Sequence, residues 1–298
     1  MLRRLFGWSG LWLALLCGLT GQATAAEVCA IDDADHEVCL AAPAERIVAL
    51  SPSITELLYA AGAGERLVGT VGFSDYPPAA IELPRVGSHE RLDLEALLVL
   101  EPDLVVAWIS GNPREQLDRL RRLGIPLFLS ETRDFEGVAD SLERLGRLAG
   151  SEASAAATAA AFREDTRALR AQYRAASPVP VFYQVWEQPL MTINGEHWIS
   201  QALALCGGEN VFAEASAGVP RVGIESVLAR DPEAILTGGA GSPESPWLES
   251  WRDHARMTAV RRDNLFVVDP SLVQRATPRL LEGTRKICEH LEVARDRR

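Results

Sequence analysis

Two stretches of this chain are near copies of one another. LDLEALLVLEPDLVVAW at residues 92–108 overlays VGIESVLARDPEAILTGG at residues 222–239. Glu95 falls on Glu225, Leu98 on Leu228, Glu101 on Asp231, Pro102 on Pro232 and Asp103 on Glu233. Each copy reads as a short helix, stopped by a proline and followed by an apolar strand. A weaker echo joins ITELLYAAGAGERLVG to ISQALALCGGENVF. A helix-turn-strand unit used twice, with a glutamate at the same place in both, constrains the chain to two similar halves.

The residues around each copy alternate between strand and helix patterns. In the first half IVAL reads as a strand and Ser51-Pro52-Ser53 as the start of a helix. LVGTVGFS, LVVAW and IPLFLS read as further strands, with helices over REQLDRLRRLG and 134–149. The second half runs through strand VFYQVW, a helix ending at CGGEN, strand AILTGG, a helical stretch over 245–260, strand LFVVD and a last helix from Pro278 to about Val293. Between the halves, SEASAAATAAAFREDTRALRAQYRAA lacks both glycine and proline. It predicts a helix of about 24 residues, roughly 36 Å long. The expected fold class is therefore α/β: two Rossmann-like β/α lobes with parallel sheets, joined by a single long backbone helix, with a ligand cleft between the lobes. The expected divisions are an N-terminal hairpin extension (26–45), an N-terminal lobe (46–150), the connecting helix (151–177) and a C-terminal lobe (178–298).

Residues 1–25 follow a different logic. Arg3 and Arg4, the apolar run LWLALLCGL and the small residues Ala23-Thr24-Ala25 make a cleavable export signal, with cleavage expected after Ala25. The apolar run is shorter than the roughly 20 residues that span a bilayer, so no membrane insertion of the mature chain is expected. Removing two arginines and no acids takes the formal net charge from −11 to −13. Such an acidic surface disfavours nucleic acid as a partner and suits docking onto a basic protein. Four cysteines remain after cleavage: Cys29, Cys39, Cys206 and Cys288. An even count in an exported chain points to disulfides, and four cysteines allow three pairings. Cys29 and Cys39 flank an Asp-rich turn whose hairpin would bring them together, which leaves Cys206 with Cys288.

The chain carries no phosphate-cradling glycine loop, no G-x-S-x-G elbow and no H-E-x-x-H pair. Its five histidines are scattered, and no metal site held by protein ligands is expected. An exported, two-lobed chain without a catalytic signature reads as a binder. An enzyme working through some pair of its 41 acids is the distant alternative, and a sensor module using the same cleft is another.

RIVALSPSITELLYAAGAG, GFSDYPPAA, LDLEALLVLEPDLVVAW, LALCGGENVF and RATPRLLEG together resemble the periplasmic binding proteins of helical-backbone type. These serve ABC importers of vitamin B12, siderophores and haem. The resemblance covers roughly residues 45–293, and FSDYPP and CGGEN with its late cysteine point to the cobalamin-binding branch. It implies a non-enzymatic, monomeric periplasmic receptor with no cofactor of its own, which captures cobalamin or a related corrinoid and delivers it to an ABC importer; haem or a ferric siderophore is the alternative ligand. It implies that Glu95 and Glu225 each meet an arginine pocket on one subunit of the permease dimer. From the residues alone, both glutamates read equally as helix caps.

The cleft candidates are Phe73, Tyr76, His89 and Trp108 from the first lobe. From the second they are Trp186, Trp198 and the loop Ser271, Leu272, Val273, Gln274 and Arg275. Phe73 stands where the cobalamin proteins carry a tyrosine, and His89 where they carry a tryptophan over the corrin face. Val219 stands near another of their tryptophans. Core packing is the competing reading for each aromatic, and Trp247 and Trp251, four residues apart, read as one helix face. The His89 imidazole is also a candidate ligand to the cobalt or iron of a bound molecule.

Overall fold

The computed structural model describes residues 27–239 and 245–298. The expected export signal, with its cleavage site at Ala25, lies outside the described residues. The described part opens with an antiparallel hairpin of β1 (Val28–Ile31) and β2 (Glu37–Leu40), in which Cys29 sits directly opposite Cys39 and is disulfide-bonded to it. Asp32 shapes the turn by accepting from the backbone N–H of Ala34 and of His36. The hairpin lies against the next domain through the Asp33 N–H to Leu129 carbonyl bond of 2.9 Å and the Asp33–Arg144 ion pair.

The first lobe runs β3 (Ile47–Ala49), α1 (Pro52–Ala60), β4 (Leu67–Thr70), α2 (Leu94–Val99), β5 (Leu104–Trp108), α3 (Arg114–Arg122), β6 (Leu127–Ser130) and α4 (Phe135–Leu148). After α5 (Glu152–Gln172), the second runs β7 (Val179–Gln184), α6 (Trp198–Leu205), β8 (Gly208–Asn210), α7 (Ile224–Arg230), β9 (Ala234–Thr237), α8 (Pro246–Arg252), α9 (Thr258–Arg261), β10 (Leu265–Val267), α10 (Pro270–Val273) and α11 (Leu280–Asp296). Each lobe holds a four-stranded parallel sheet. The strand orders are β4-β3-β5-β6 and β8-β7-β9-β10, the same winding of second, first, third and fourth strand. Strands such as LVVAW and AILT are buried along almost their whole length because both faces of each sheet are covered.

Local chemistry sets the helix starts. The Ser51 hydroxyl accepts from the Ile54 N–H at 3.1 Å with Pro52 inside the first turn, and the Asp93 carboxylate accepts from the Ala96 N–H at 3.0 Å. The duplicated unit repeats down to its backbone. Glu101 and Asp231, each just before the shared proline, both hold left-handed conformations, with φ of 45° and 41°.

One apolar cluster runs through both lobes and α5, joining Leu142 and Leu145 of α4 to Val179 of β7 and Ile287 of α11. The opposite face of each sheet has its own cluster, around Leu97 and Leu120 in the first lobe and Val227 and Trp251 in the second. In α5, Ala155, Ala159, Phe162, Thr166 and Leu169 form the buried stripe at helical spacing. Its small residues have a packing reason: a Cβ added at Gly146 of α4 would lie 2.2 Å from the Ala155 Cβ, so the two helices meet nearly backbone to backbone. A bond between Cys206 and Cys288 staples the end of α6 to α11, closing a loop long enough for a contribution of roughly 4 kcal/mol.

Four details differ from the sequence reading. The helix α5 has 21 residues, about 31 Å, because Tyr173–Ala176 curl into a turn. The segment 245–260 divides into α8 and α9. Gly208–Asn210 forms an edge strand after Gly207 ends α6 with φ of +73°. Residues 270–273, expected to be loop, form the short helix α10.

Candidate ligand-binding cleft

A cavity of about 490 Å³ opens between the lobes. In the first lobe its wall is made at the carboxyl ends of strands: Ser51 follows β3, Phe73 follows β4, Trp108 ends β5 and Ser130 ends β6. β3 is where this lobe's strand order reverses, with β4 on one side and β5 on the other. In open parallel sheets, crevices for ligands form outside such a switch point. From the second lobe come Trp198 at the start of α6 and Pro270, Ser271, Gln274 and Arg275 around α10.

The two indoles are fixed by their N–H groups. Trp198 Nε1 donates to the Val273 carbonyl at 2.8 Å, and Trp108 Nε1 points to Glu131 Oε1 at 3.4 Å. Beside Trp198, the His197 ring lies tilted by 35° with 4.0 Å between centroids, and its Nδ1 accepts from the Ile199 N–H to cap α6. Burial pushes the His197 imidazole down to about 4, so it stays neutral and keeps that acceptor. The His89 ring lies 5.9 Å from that of Trp108. Buried Asn112 ties this wall together: its amide donates to the Leu50 carbonyl at 2.9 Å and the His89 carbonyl at 3.0 Å, while its Oδ1 accepts from the Trp108 N–H at 2.7 Å. Phe73 sits at the mouth, 77% exposed and in a left-handed conformation with φ of 65°. An exposed ring on a backbone of this kind is held by its surroundings, here by Arg275, which donates to the Phe73 carbonyl at 3.0 Å.

The floor between the lobes is an ion cluster centred on Glu56, a buried carboxylate of α1. It accepts from Arg275 at 2.8 Å, from the Thr277 hydroxyl at 2.9 Å and from Arg279 at 3.3 Å, all three on the second lobe. Arg275 also reaches Asp75 at 2.7 Å. Burial raises the Asp75 carboxyl, but its hydrogen bond to Arg275 and that cation's charge outweigh it and leave Asp75 below its ordinary range. Burial likewise opposes the Arg275 charge, and its bonds to Asp75 and Glu56 more than restore it.

Of the expected cleft residues, the structure brings together Phe73, His89, Trp108, Trp198, Ser271, Gln274 and Arg275. Four others lie elsewhere. Leu272 and Val273 are buried in the core, because α10 turns them onto α11, where Val273 packs against Gly283. Tyr76 stands outside the cavity wall with the Arg279 guanidinium 3.9 Å above its ring. Trp186 packs edge-on against Trp247 at 5.5 Å, also outside the wall. Trp247 and Trp251 do not share one role: Trp251 is buried and donates to Gln184 at 2.8 Å. Glu56 and Asn112 escaped the sequence reading. The one available signal was a lone glutamate inside the apolar run SITELLYAA, answered by two arginines in RATPR.

A model described as a periplasmic binding protein matches residues 47–272. The chain belongs to the periplasmic binding protein family. It is 38% identical over 252 residues to the vitamin B12-binding protein of Vibrio cholerae, covering 85% of this chain and 91% of that protein. Against the vitamin B12-binding protein of Vibrio parahaemolyticus it is 37% identical over 257 residues, 86% of this chain and 92% of that one. The crystal structure of the periplasmic vitamin B12-binding protein BtuF of Vibrio cholerae matches with a TM-score of 0.77 at 38% identity, covering 85% of this chain and 98% of that one. The periplasmic haem-binding protein RhuT from Roseiflexus sp. RS-1, in apo form, matches with a TM-score of 0.75 at 25% identity, covering 84% and 99%. The two-lobed α/β fold is thus the fold of this family.

As a periplasmic binding protein, the chain carries its two duplicated glutamates on the surface. Glu95 and Glu225 are exposed, and each is the second residue of its helix. Neither makes an ion pair or side-chain hydrogen bond among the described residues. Asp93, not Glu95, caps α2, and α7 begins at Gly223 without a side-chain cap. The cap reading therefore fails for both. Among the described residues no helix is long and apolar enough to cross a membrane. The one close group of metal-capable side chains there, Glu27 with Cys29 and Cys39, has both sulfurs in a disulfide.

Proposed function

We propose that this chain captures cobalamin, or a corrinoid close to it, in the periplasm and presents it to an ABC importer. The observation that carries the reading is the inter-lobe cavity walled by Trp108, Trp198 and Phe73, in a chain 38% identical to the vitamin B12-binding protein of Vibrio cholerae. A corrin is a broad, mostly apolar disc edged with amides. Aromatic walls suit its faces, and the hydroxyls of Ser53 and Ser271 with the Gln274 amide suit its edge. A ferric siderophore, often anionic, would ask for a free cation, whereas Arg275 is already paired with two carboxylates. The reading includes no covalent chemistry. Asp75 is the one carboxylate lining the cavity among the described residues, and it is tied to Arg275.

Delivery rests on Glu95 and Glu225 as contacts for the two permease subunits. Two equivalent, exposed, unpaired carboxylates suit bidentate pairing with arginines. Leu98 and Val99 beside the first, and Ile224 beside the second, add exposed apolar area around each charge.

Calorimetric titration of the mature protein with cyanocobalamin, cobinamide, haem and a ferric siderophore tests the ligand. One cyanocobalamin per chain is expected, with cobinamide reporting how much of the affinity comes from the nucleotide tail. Tight binding of haem with no heat from either corrinoid would overturn the reading.

A further inference from the structure

The cavity wall holds a single imidazole. Three of the other four histidines are engaged or held elsewhere. His36 lies against Asp32 at 3.5 Å, His197 caps α6, and His290 contacts the Val267 carbonyl at 3.2 Å. His254 packs beside Trp251, away from the cleft. His89 alone lines the cavity, a third of its side chain open to solvent. Neither of its ring nitrogens makes a hydrogen bond among the described residues. The nearest charged group to Nε2 is the outward Glu90, 4.0 Å away.

The ring is also pre-positioned. His89 and Glu90 are the central residues of a tight turn closed by the Ser88 N–H to Arg91 carbonyl bond of 2.8 Å. Asn112 holds the His89 carbonyl, and Gln116 brackets Leu92 by accepting from its N–H and donating to its carbonyl, both at 2.9 Å. The Trp108 indole lies beside the ring, 5.9 Å between centroids. An unpartnered, anchored nitrogen donor facing a binding cavity has the makings of a metal ligand, since neutral imidazole is the commonest one in proteins and its orientation here is set by supporting bonds.

We infer that His89 coordinates the cobalt of a bound corrinoid through an axial position held by an exchangeable water. The inference rests on the corrinoid reading above and adds a specificity to it. A lone pair of the neutral imidazole forms the Co–N bond, the Co–O bond to water breaks, and the water leaves. Cobalt stays Co(III) and no electron is transferred. A ligand whose axial positions are filled by cyanide, or by an alkyl group, offers no such site. The cleft would therefore favour aquo-corrinoids over cyano and alkyl forms.

The test is an absorption titration of the mature protein with diaquocobinamide, dicyanocobinamide and cyanocobalamin, with His89→Ala and His89→Gln beside it. Diaquocobinamide bound one per chain should shift to the spectrum it shows with free imidazole in solution, and a large excess of cyanocobalamin should displace it. The displacement separates the cleft from exposed His36. Both variants should lose the shift and lose about tenfold or more in affinity for the aquo form, while keeping the wild-type circular dichroism spectrum and unfolding midpoint. Those two readouts show that the variants are folded. His89→Gln keeps a polar group of similar reach, so loss of the shift there identifies coordination rather than hydrogen bonding. Diaquocobinamide binding with an unshifted spectrum, or with a shift that survives in both variants, overturns the inference and leaves the corrinoid reading standing. Failure of the wild-type protein to bind any corrinoid overturns both.

Discussion

The two lobes are alike where they face outward and unlike where they face each other. Outward, both present a glutamate at the second position of a short helix, then an acid in a left-handed conformation, a proline and an inner strand of the sheet. Even there the tertiary anchors differ. Asp103 accepts from the N–H groups of Glu45 and Arg46, whereas in the second lobe it is Asp231 that binds Thr258 through both backbone and hydroxyl. Inward, the first lobe offers the Phe73, His89 and Trp108 rings. The second commits Arg275 and Arg279 to Glu56. Repetition survives where two identical subunits would be met. It is lost where a single asymmetric molecule would be held and where the lobes must be fastened together.

That contrast can be broken most completely at its outer ends. Reversing both charges, Glu95→Arg with Glu225→Arg, should abolish importer-dependent uptake of the ligand while leaving calorimetric affinity unchanged. The paired alanine variants should impair uptake less. Uptake that survives both pairs would mean that the repeat serves the fold alone.

At the inner ends, Glu56→Ala leaves two arginines facing a buried gap. It should cost about 3–5 kcal/mol in urea unfolding, the range for breaking a buried ion pair from one side. Replacing the group as a whole, with Glu56→Leu, Arg275→Met and Arg279→Met together, should cost clearly less. An equal cost would show that the cluster contributes more than mutual neutralisation.

A smaller, one-sided effect comes from His197, which has no counterpart capping α1, where Ser51 does that work. Its folded value is pushed down to about 4 by burial, below the ordinary value of about 6.5. The native state therefore favours the neutral ring. The stability this gives is fully present above about pH 6.5, falls between there and about pH 4, and is then exhausted, a loss of up to about 3 kcal/mol. Unfolding midpoints at pH 7.5, 5.5 and 4.5 should show the slope. His197→Asn, which can still cap the helix, should remove most of it.

Much of the architecture was legible because it is local. Strand and helix periodicity, the helix start at Ser51, the Cys29–Cys39 hairpin and the Ala-rich helix between lobes all follow from neighbours within a few residues. The cleft was only partly legible because its wall is assembled from distant segments. Glu56 meets Arg275 across 219 residues, and Asn112 reaches back to Leu50 across 62; a lone glutamate in an apolar run is the one hint of the first bond, and nothing nearby announces the second. The segment 271–275 is legible only in part. By resemblance it is a loop that faces a ligand, but Asp269 and Pro270 start a helical turn that leaves Ser271, Gln274 and Arg275 on the cavity and points Leu272 and Val273 inward. Tyr76 and Trp186 were chosen as rings, and rings have other partners available. Arg279 took one and Trp247 the other.

The most direct measurement of the central claim is a crystal structure of the mature protein grown with cyanocobalamin. The account predicts one corrin ring in the inter-lobe cavity, in contact with Trp108 on one side and with Ser271 and Gln274 on the other, and the Glu56 cluster unbroken beneath it. A corrin bound anywhere else on the chain, or lobes that separate at Glu56 to admit it, would contradict the account.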